Sequence, residues 1–130
     1  MQDSSSGGKW WLYISGDAIG YWPSSIYNTM KSGADIIEWG GEIVPSGAVV
    51  GHTTTAMGSG AFPIEGYPKS AFQRNLTYVD LQKNQYNADS LAKYVTNANC
   101  YDSSIQQGDF NNWGTYFFFG GSGGNHSTCV

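Results

Sequence analysis

The sequence predicts a mainly β, antiparallel fold that forms one domain or part of one. Two features of the composition support this prediction: aromatic residues make up 15% of the 130 residues, and there are 18 glycines. Aromatic side chains favour strands, and glycines supply tight turns. The third feature is the arrangement of apolar residues in short runs separated by Gly, Ser, Thr and Pro, which is typical of sheets.

The first elements are a predicted hairpin and a predicted short helix. Residues 1–8 have a loop-like composition, and we expect them to be disordered. The runs KWWLYI and IGYWP read as two strands joined by a turn at SGDA. Residues 23–34 are the best helix candidate, because Ile26 and Met30 lie four residues apart and Gly33 supplies a C-terminal stop.

The rest of the chain is predicted to consist of strands and long polar connections. Residues 45–66 are rich in Gly, Ser, Thr and Pro, and a connection of this length usually carries function or depends on a neighbour. A helical turn is expected around residues 89–94. The four predicted strands lie at residues 35–44, 70–82, 99–106 and 114–121.

Charge and composition exclude several classes of partner. The net charge is −4 and the isoelectric point is near 4.8, and the six basic residues are scattered, so we expect no nucleic-acid partner. No apolar run is long enough to span a bilayer, so no membrane partner is expected. The N-terminus lacks the pattern of a signal peptide. Two cysteines and the glycosylation sequons at Asn75 and Asn125 nevertheless favour an oxidising, secretory setting.

Most kinds of reactive site lack their required residues. His52 and His126 show no paired-ligand spacing, and two cysteines 29 positions apart form no zinc knuckle, so no metal is expected. There is no G-x-S-x-G motif for a nucleophilic serine, and no phosphate-binding loop, so we expect no cofactor. By elimination, the notable residues are Glu38 and Glu42, two of three glutamates in the chain, with Gly40 and Gly41 between them.

The glutamates allow two interpretations. In an extended strand, side chains two apart share a face, so Glu38, Gly40 and Glu42 would point the same way. A carboxyl set among Trp39 and Ile43 would be desolvated, as a general acid requires. Alternation alone favours the simpler interpretation, in which both glutamates are the solvent-facing residues of a half-buried strand.

Five segments together resemble the C-terminal half of the plant neprosin family. In order they are WWLYISGDAIGYWPSSIYN, IIEWGGEIV, GHTTTAMGSGAFPIEGYPKSAFQRN, NCYD and WGTYFFFGGSGGN followed by a cysteine, and they span about Lys9 to Cys129. The family comprises secreted or vacuolar glutamic endopeptidases, some of which cleave after proline. The resemblance therefore implies a polypeptide substrate, secretion or vacuolar targeting, and a jelly-roll-like β-sandwich of two antiparallel sheets.

The resemblance also implies roles for individual residues. The family motif W-G-G-E-V maps onto Trp39 to Ile43, which makes Glu42 the catalytic glutamate and Glu38 a bystander. Trp39, Gly40 and His52 become candidates for substrate contact. Cys100 and Cys129 resemble the family's C-terminal disulfide.

One part of the family pattern is missing. The second catalytic glutamate of the family lies in a stretch that precedes the segments matched by this chain, and nothing here resembles it. We therefore expect residues 9–130 to be the C-terminal part of a peptidase domain, either an incomplete record or a truncated paralogue, and we favour the former. Because one glutamate cannot be both acid and base, this chain alone is predicted to be inactive.

A different class of function stays open. An acidic β-sandwich rich in aromatic residues and glycine also describes a carbohydrate-binding module, in which exposed Trp or Tyr rings stack on sugars, or a structural module that binds nothing. Coplanar exposed rings would favour a carbohydrate-binding module. An accessible Glu42 beside a groove would favour a peptidase.

Overall fold

The computed structural model describes residues 2–3, 7–44, 53–107, 112–125 and 129. This part of the chain contains no α-helix. It forms three small antiparallel sheets together with isolated 3-10 turns, which confirms the predicted all-β class. The strands are β1 (Gln2–Asp3), β2 (Lys9–Ile14), β3 (Asp17–Trp22), β4 (Ala71–Gln73), β5 (Thr77–Val79), β6 (Gln85–Asn87), β7 (Asp102–Gln106) and β8 (Tyr116–Gly120).

The chain divides into two compact units. The first unit contains Met1–Ile37 and Val79–Gln85, and the second contains Glu38–Tyr78 and Tyr86–Val130. The sheet β1-β2-β3 lies in the first unit, and the sheet β4-β8-β7 lies in the second. The candidate glutamates, the disulfide and most of the buried residues belong to the second unit.

The predicted hairpin of the first unit is confirmed. Strands β2 and β3 pair antiparallel, and the turn between them consists of Ser15 (φ 52°) and Gly16 (φ 90°). Positive φ at both central residues is the signature of a type I′ turn, whose twist matches that of the strands it joins. Strand β1 pairs with β2 on its other side, so Gln2 and Asp3, which lie in the segment predicted to be disordered, have ladder partners.

The predicted helix at residues 23–34 is wrong. The chain instead forms two separate 3-10 turns, Ser24–Ile26 and Met30–Ser32. Most helical stability in proteins comes from burial of an apolar face, and Ile26 is 59% exposed. In addition, Trp10 Nε1 donates a hydrogen bond to the Met30 carbonyl at 3.3 Å.

Strand β8 is the centre of the main sheet, with β4 and β7 on either side. Its side chains alternate between two aromatic layers. On one face, Phe117 packs with the buried residues Leu76 and Ala88. On the other face, Phe72 stacks on Trp113, with ring centroids 4.6 Å apart and planes 19° apart. The sheet therefore has a packed apolar layer on each side.

The predicted strand at residues 70–82 is broken in two. Strand β4 ends at Gln73, and β5 begins only at Thr77. Between them Asn75 has φ 53°, a left-handed conformation that asparagine tolerates better than most residues. The helical turn expected at residues 89–94 does not form either, and that stretch is irregular.

A second buried cluster surrounds the disulfide. Cys100 and Cys129 are joined as the resemblance implied, and both are buried together with Tyr101. The hydroxyl of Tyr101 donates towards the carbonyl oxygens of Thr53 and Thr55, at 3.1 and 2.9 Å. Burial raises the pKa of Tyr101 above its ordinary value of 10.0. This cluster ties residues within the long connection to the C-terminal part of the chain.

Removal of the disulfide is expected to destabilise the protein substantially. The bridge closes a loop with a sequence separation of 29, and the chain-entropy estimate for a loop of this length is about 3–4 kcal/mol. Replacement of both Cys100 and Cys129 by serine should lower the free energy of unfolding by about that amount, measured by urea denaturation. A loss below about 1 kcal/mol would contradict a stabilising role.

The Tyr101 hydroxyl is expected to add a pH-dependent term to stability. Because its folded-state pKa is raised, the stabilisation is fully present below the unfolded value of 10.0 and is lost as the pH rises through the higher folded value. Tyr101→Phe should cost about 0.5–1.5 kcal/mol at neutral pH and make the alkaline decline in unfolding free energy less steep. Tyr94→Phe, at a position that is 85% exposed, is the matched control. It should change neither the free energy of unfolding at neutral pH nor the steepness of its alkaline decline.

Candidate active site

Residues 38–44, here called the glutamate segment, do not form the predicted strand. The segment has no ladder partner among the described residues. It lies over side chains of the second unit instead of beside a strand edge, which explains why it makes no ladder. The strand prediction for residues 35–44 is therefore wrong, and only Trp39 and Ile43, four residues apart, are half-buried in this stretch.

The segment is anchored at two points. Trp39 packs against the cluster of Leu76, Ala88 and Phe117. Ile43 packs against the second cluster, which contains the disulfide and Tyr101. The two half-buried apolar side chains thus hold the segment to two different parts of the same core, on either side of the glycine pair.

Between these anchors the main chain approaches the core closely at Gly41. A β-carbon at this position would lie 2.9 Å from Cε2 of Phe119 and 3.0 Å from Cγ of Met57. Contacts under 3.0 Å do not occur at real β-carbons, so any side chain here would displace its neighbours. A β-carbon at Gly40 would have no other atom within 4 Å. Of the two glycines, only the second brings its main chain against neighbouring side chains.

The segment is exposed at every residue except Trp39 and Ile43. Glu38, Gly40 and Glu42 are exposed, whereas Trp39 and Ile43 are half-buried. The carboxyl of Glu42 is therefore presented to solvent on a backbone fixed on both sides. Of the residues implicated in substrate contact, Gly40 is open on its outer side and Trp39 is engaged in packing.

The other carboxylates in the described part of this unit are engaged elsewhere. Asp102 pairs with Lys93 at 2.5 Å, and Asp89 accepts a hydrogen bond from Thr115 at 3.1 Å. Glu65 caps its own 3-10 turn by accepting from the Phe62 N–H. For Glu38 and Glu42 the structure shows no ion pair or hydrogen bond to another described residue.

The remaining predicted positions differ in what the structure describes. His52, His126 and the side chain of Asn125 lie outside the described residues. Asn75 is exposed, at the bend between β4 and β5. In the described part of the chain no three His, Cys, Asp or Glu residues gather as a metal site would require. No helix in that part is long and apolar enough to cross a membrane.

Sequence reasoning missed two residues that shape the site. Met57 lies in the predicted long connection at residues 45–66 and Phe119 in the predicted strand at residues 114–121, and nothing in either pattern connects them to the glutamates. The available signal was the glycine pair itself, because a glycine on an otherwise apolar segment marks a close approach of the backbone. That signal does not indicate which residues the backbone approaches.

The family of the chain follows from its sequence as a whole. A protein-family model described as Neprosin matches residues 1–122, and the chain belongs to this family.

Substitution of the two glycines is expected to separate their roles. Gly41→Ala should lower the free energy of unfolding by about 1–3 kcal/mol, because the added methyl group overpacks the contact with Phe119 and Met57. Gly40→Ala enters open space and should be neutral or stabilising by up to about 1 kcal/mol. Urea denaturation of both variants measures the difference, and equal losses would contradict the close approach at Gly41.

Proposed function

We propose that the chain is the C-terminal part of a neprosin-like glutamic endopeptidase domain, with Glu42 as one of two catalytic carboxyls. Membership of the Neprosin family supports the class of reaction. The observation that carries the choice of residue is the exposure of Glu42 on a segment whose neighbours Trp39 and Ile43 are anchored in the core. A catalytic carboxyl has to be accessible to water, and the exposure of Glu42 beside two anchored residues supports this choice.

The proposed reaction is a general acid–base hydrolysis. One carboxylate removes a proton from water, and the resulting hydroxide adds to the scissile carbonyl carbon. The second, protonated carboxyl gives its proton to the amide nitrogen, the C–N bond breaks, and the amine leaves. Because one carboxyl must be ionised and the other protonated, activity should favour acid pH.

Glu38 is poorly placed to be the second carboxyl. It precedes Glu42 by four residues on the same exposed segment, and four residues of extended chain span about 13 Å. The two carboxyls thus lie side by side on one segment instead of facing each other across a bound water. We propose that the complementary glutamate comes from the stretch that precedes these segments in the family, and that Glu38 is a bystander.

Gly40 is proposed to receive the backbone of the substrate. Its outer side meets no other atom within 4 Å, and it lies two residues from Glu42. A bare backbone beside a catalytic carboxyl lets an extended peptide come within hydrogen-bonding distance. Trp39 contributes chiefly as an anchor, because it packs on the core cluster. A substrate contact by His52 stays a prediction.

A secretory or vacuolar location fits two features of the structure. The chain forms a buried disulfide between Cys100 and Cys129, and such bonds persist in oxidising compartments. The sequon asparagine Asn75 is exposed, as a glycosylation acceptor must be. We propose secretion or vacuolar delivery on these grounds.

The rival function, carbohydrate binding, rests on the hairpin of the first unit. Tyr13 and Tyr21 are both 47% exposed there, next to Trp11. Their ring planes are tilted from that of Trp11 by 41° and 51°. Rings inclined in this way do not provide one flat surface for successive sugars, so the geometry favours the peptidase proposal. Binding to a glycan array that is abolished by Tyr21→Ala would reverse this preference.

The chain by itself is expected to lack peptidase activity. Purified residues 1–130, incubated with an unfolded polypeptide from acid to neutral pH, should release no new amino termini, since one carboxyl cannot serve as both acid and base. Turnover at acid pH that Glu42→Gln abolishes would show instead that the second carboxyl is present in this chain.

Complementation is expected to reveal the role of Glu42. The chain would be co-expressed with the preceding half of a catalytic domain from another family member, and cleavage of a proline-containing peptide would be followed. Glu42→Gln should reduce the rate by at least about 100-fold, within the usual range for loss of a general acid or base. Glu38→Gln is the matched control and should retain most of the rate. Equal effects of the two variants would contradict the assignment.

A further inference from the structure

We propose that the side chains of Met57 and Phe119 form a contact surface for the main chain of Gly41, here called the seat. This contact sets the position of the Glu42 carboxyl, so Met57, Phe119 and Gly41 are positioning residues. The inference deepens the proposed function, because it takes Glu42 as the reacting group. Its physical content is a contact between side chains and bare backbone, one residue away from the carboxyl. That contact exists whether or not the chain cleaves peptides.

The two halves of the seat are tied to the same end of β8. Phe119 belongs to that strand. The Met57 N–H donates to the carbonyl of Gly121, just beyond the strand, at 2.9 Å. The Met57 carbonyl accepts from the N–H of Gly60 at 3.0 Å, which closes a turn. The methionine backbone is therefore fixed relative to the phenylalanine, and the two side chains meet Gly41 as one surface.

A second set of contacts holds the segment that leads to Met57. The Tyr101 hydroxyl donates towards the Thr53 and Thr55 carbonyls, and the Thr53 carbonyl also accepts from the N–H of Gly124 at 2.8 Å. Met57 itself packs against the cluster that contains Tyr101 and the disulfide. The seat thus adjoins the cluster that contains the disulfide.

The position of Glu42 follows from this arrangement. Trp39 and Ile43 restrain the glutamate segment from two sides, and the contact at Gly41 sets how closely the backbone between them approaches the sheet. A side chain added at residue 41 has to push the backbone away from the sheet or displace the side chains of Met57 and Phe119. A raised backbone carries the carboxyl at residue 42 with it, away from the place where a facing carboxyl and a water would meet it.

The test uses nuclear magnetic resonance on the full chain, with two labels. The first label is a ¹³C methyl on methionine, of which the chain has three, so that Met57 is readily assigned. The second is a ¹³C carboxyl on glutamate, and the chain again has three, namely Glu38, Glu42 and Glu65. Glu65 caps a turn remote in sequence from the segment and serves as the internal reference.

Gly41→Ala is the test variant, and Gly40→Ala is its matched control. We expect Gly41→Ala to move the Met57 methyl resonance, because the added methyl group meets Cγ and Sδ of Met57, and to move the Glu42 carboxyl resonance while that of Glu65 stays in place. Gly40→Ala should leave the Met57 methyl resonance unchanged, because its added methyl group points into open space. Met57→Ala in the Gly41→Ala background removes two of the three close contacts and should return the Glu42 resonance towards its original position.

Two results would overturn the inference. An unchanged Met57 methyl in Gly41→Ala would show that the seat does not contact the segment, and a moved methyl with an unchanged Glu42 carboxyl would show that the seat does not position the glutamate. If Gly41→Ala fails to fold, Met57→Ala alone supplies the test, because emptying the seat should also move the Glu42 resonance.

Failure of this inference is distinguishable from failure of the proposed function. The resonances report on the seat without any cleavage reaction, so they give the same answer if Glu42 proves not to be catalytic. Conversely, a complemented enzyme that depends on Glu42 but shows no effect of Gly41→Ala on the Glu42 resonance would keep the peptidase proposal and remove the seat.

Discussion

The organisation of the candidate site depends on the absence of a side chain at Gly41. Because Gly41 has no β-carbon, the main chain can lie against the ring edge of Phe119 and the side chain of Met57. This contact allows the apolar residues on either side to reach two separate core clusters. The exposure of Glu42 is then a consequence of packing at its neighbours, since a segment held inward at alternate residues must present the intervening ones outward.

Apolar packing on both faces of a very small sheet stabilises the second unit. Strands of three to five residues form few ladder hydrogen bonds, and the aromatic layers on the two faces of β8 supply apolar contacts that the ladder alone cannot. The segment with the glutamates covers part of one layer. Fold and site are therefore not independent here, because the residues that present the carboxyl also shield the sheet.

What the sequence predicted correctly depends on local rules. The β2–β3 hairpin follows from alternation and from a Ser-Gly turn that accepts positive φ, and both signals lie within a few residues of each other. Strands β7 and β8 are likewise marked by short runs bounded by glycine or polar residues. The disulfide was implied by family resemblance and is present.

What it predicted wrongly depends on distant partners. The apolar spacing of Ile26 and Met30 fits a helix, but no surface buries Ile26, so the helix does not form. The sequence of residues 35–44 has the alternation of a strand, yet the stretch pairs with no described strand, and Trp39, Gly41 and Ile43 contact side chains instead. The contact of Gly41 with Phe119 and Met57 joins three separate regions of the chain, and periodicity within one region contains no information about the others.

The order of strands in the main sheet has a consequence for biosynthesis. Strand β8 is the central strand, and it follows both β4 and β7 in the sequence. During translation neither edge strand has its partner until β8 has been synthesised, so Phe72 of β4 has no paired strand beside it in the nascent chain. Pairing in this sheet therefore begins only after β8 has been synthesised, and chaperones that shield exposed apolar strands would act on the unit in that interval.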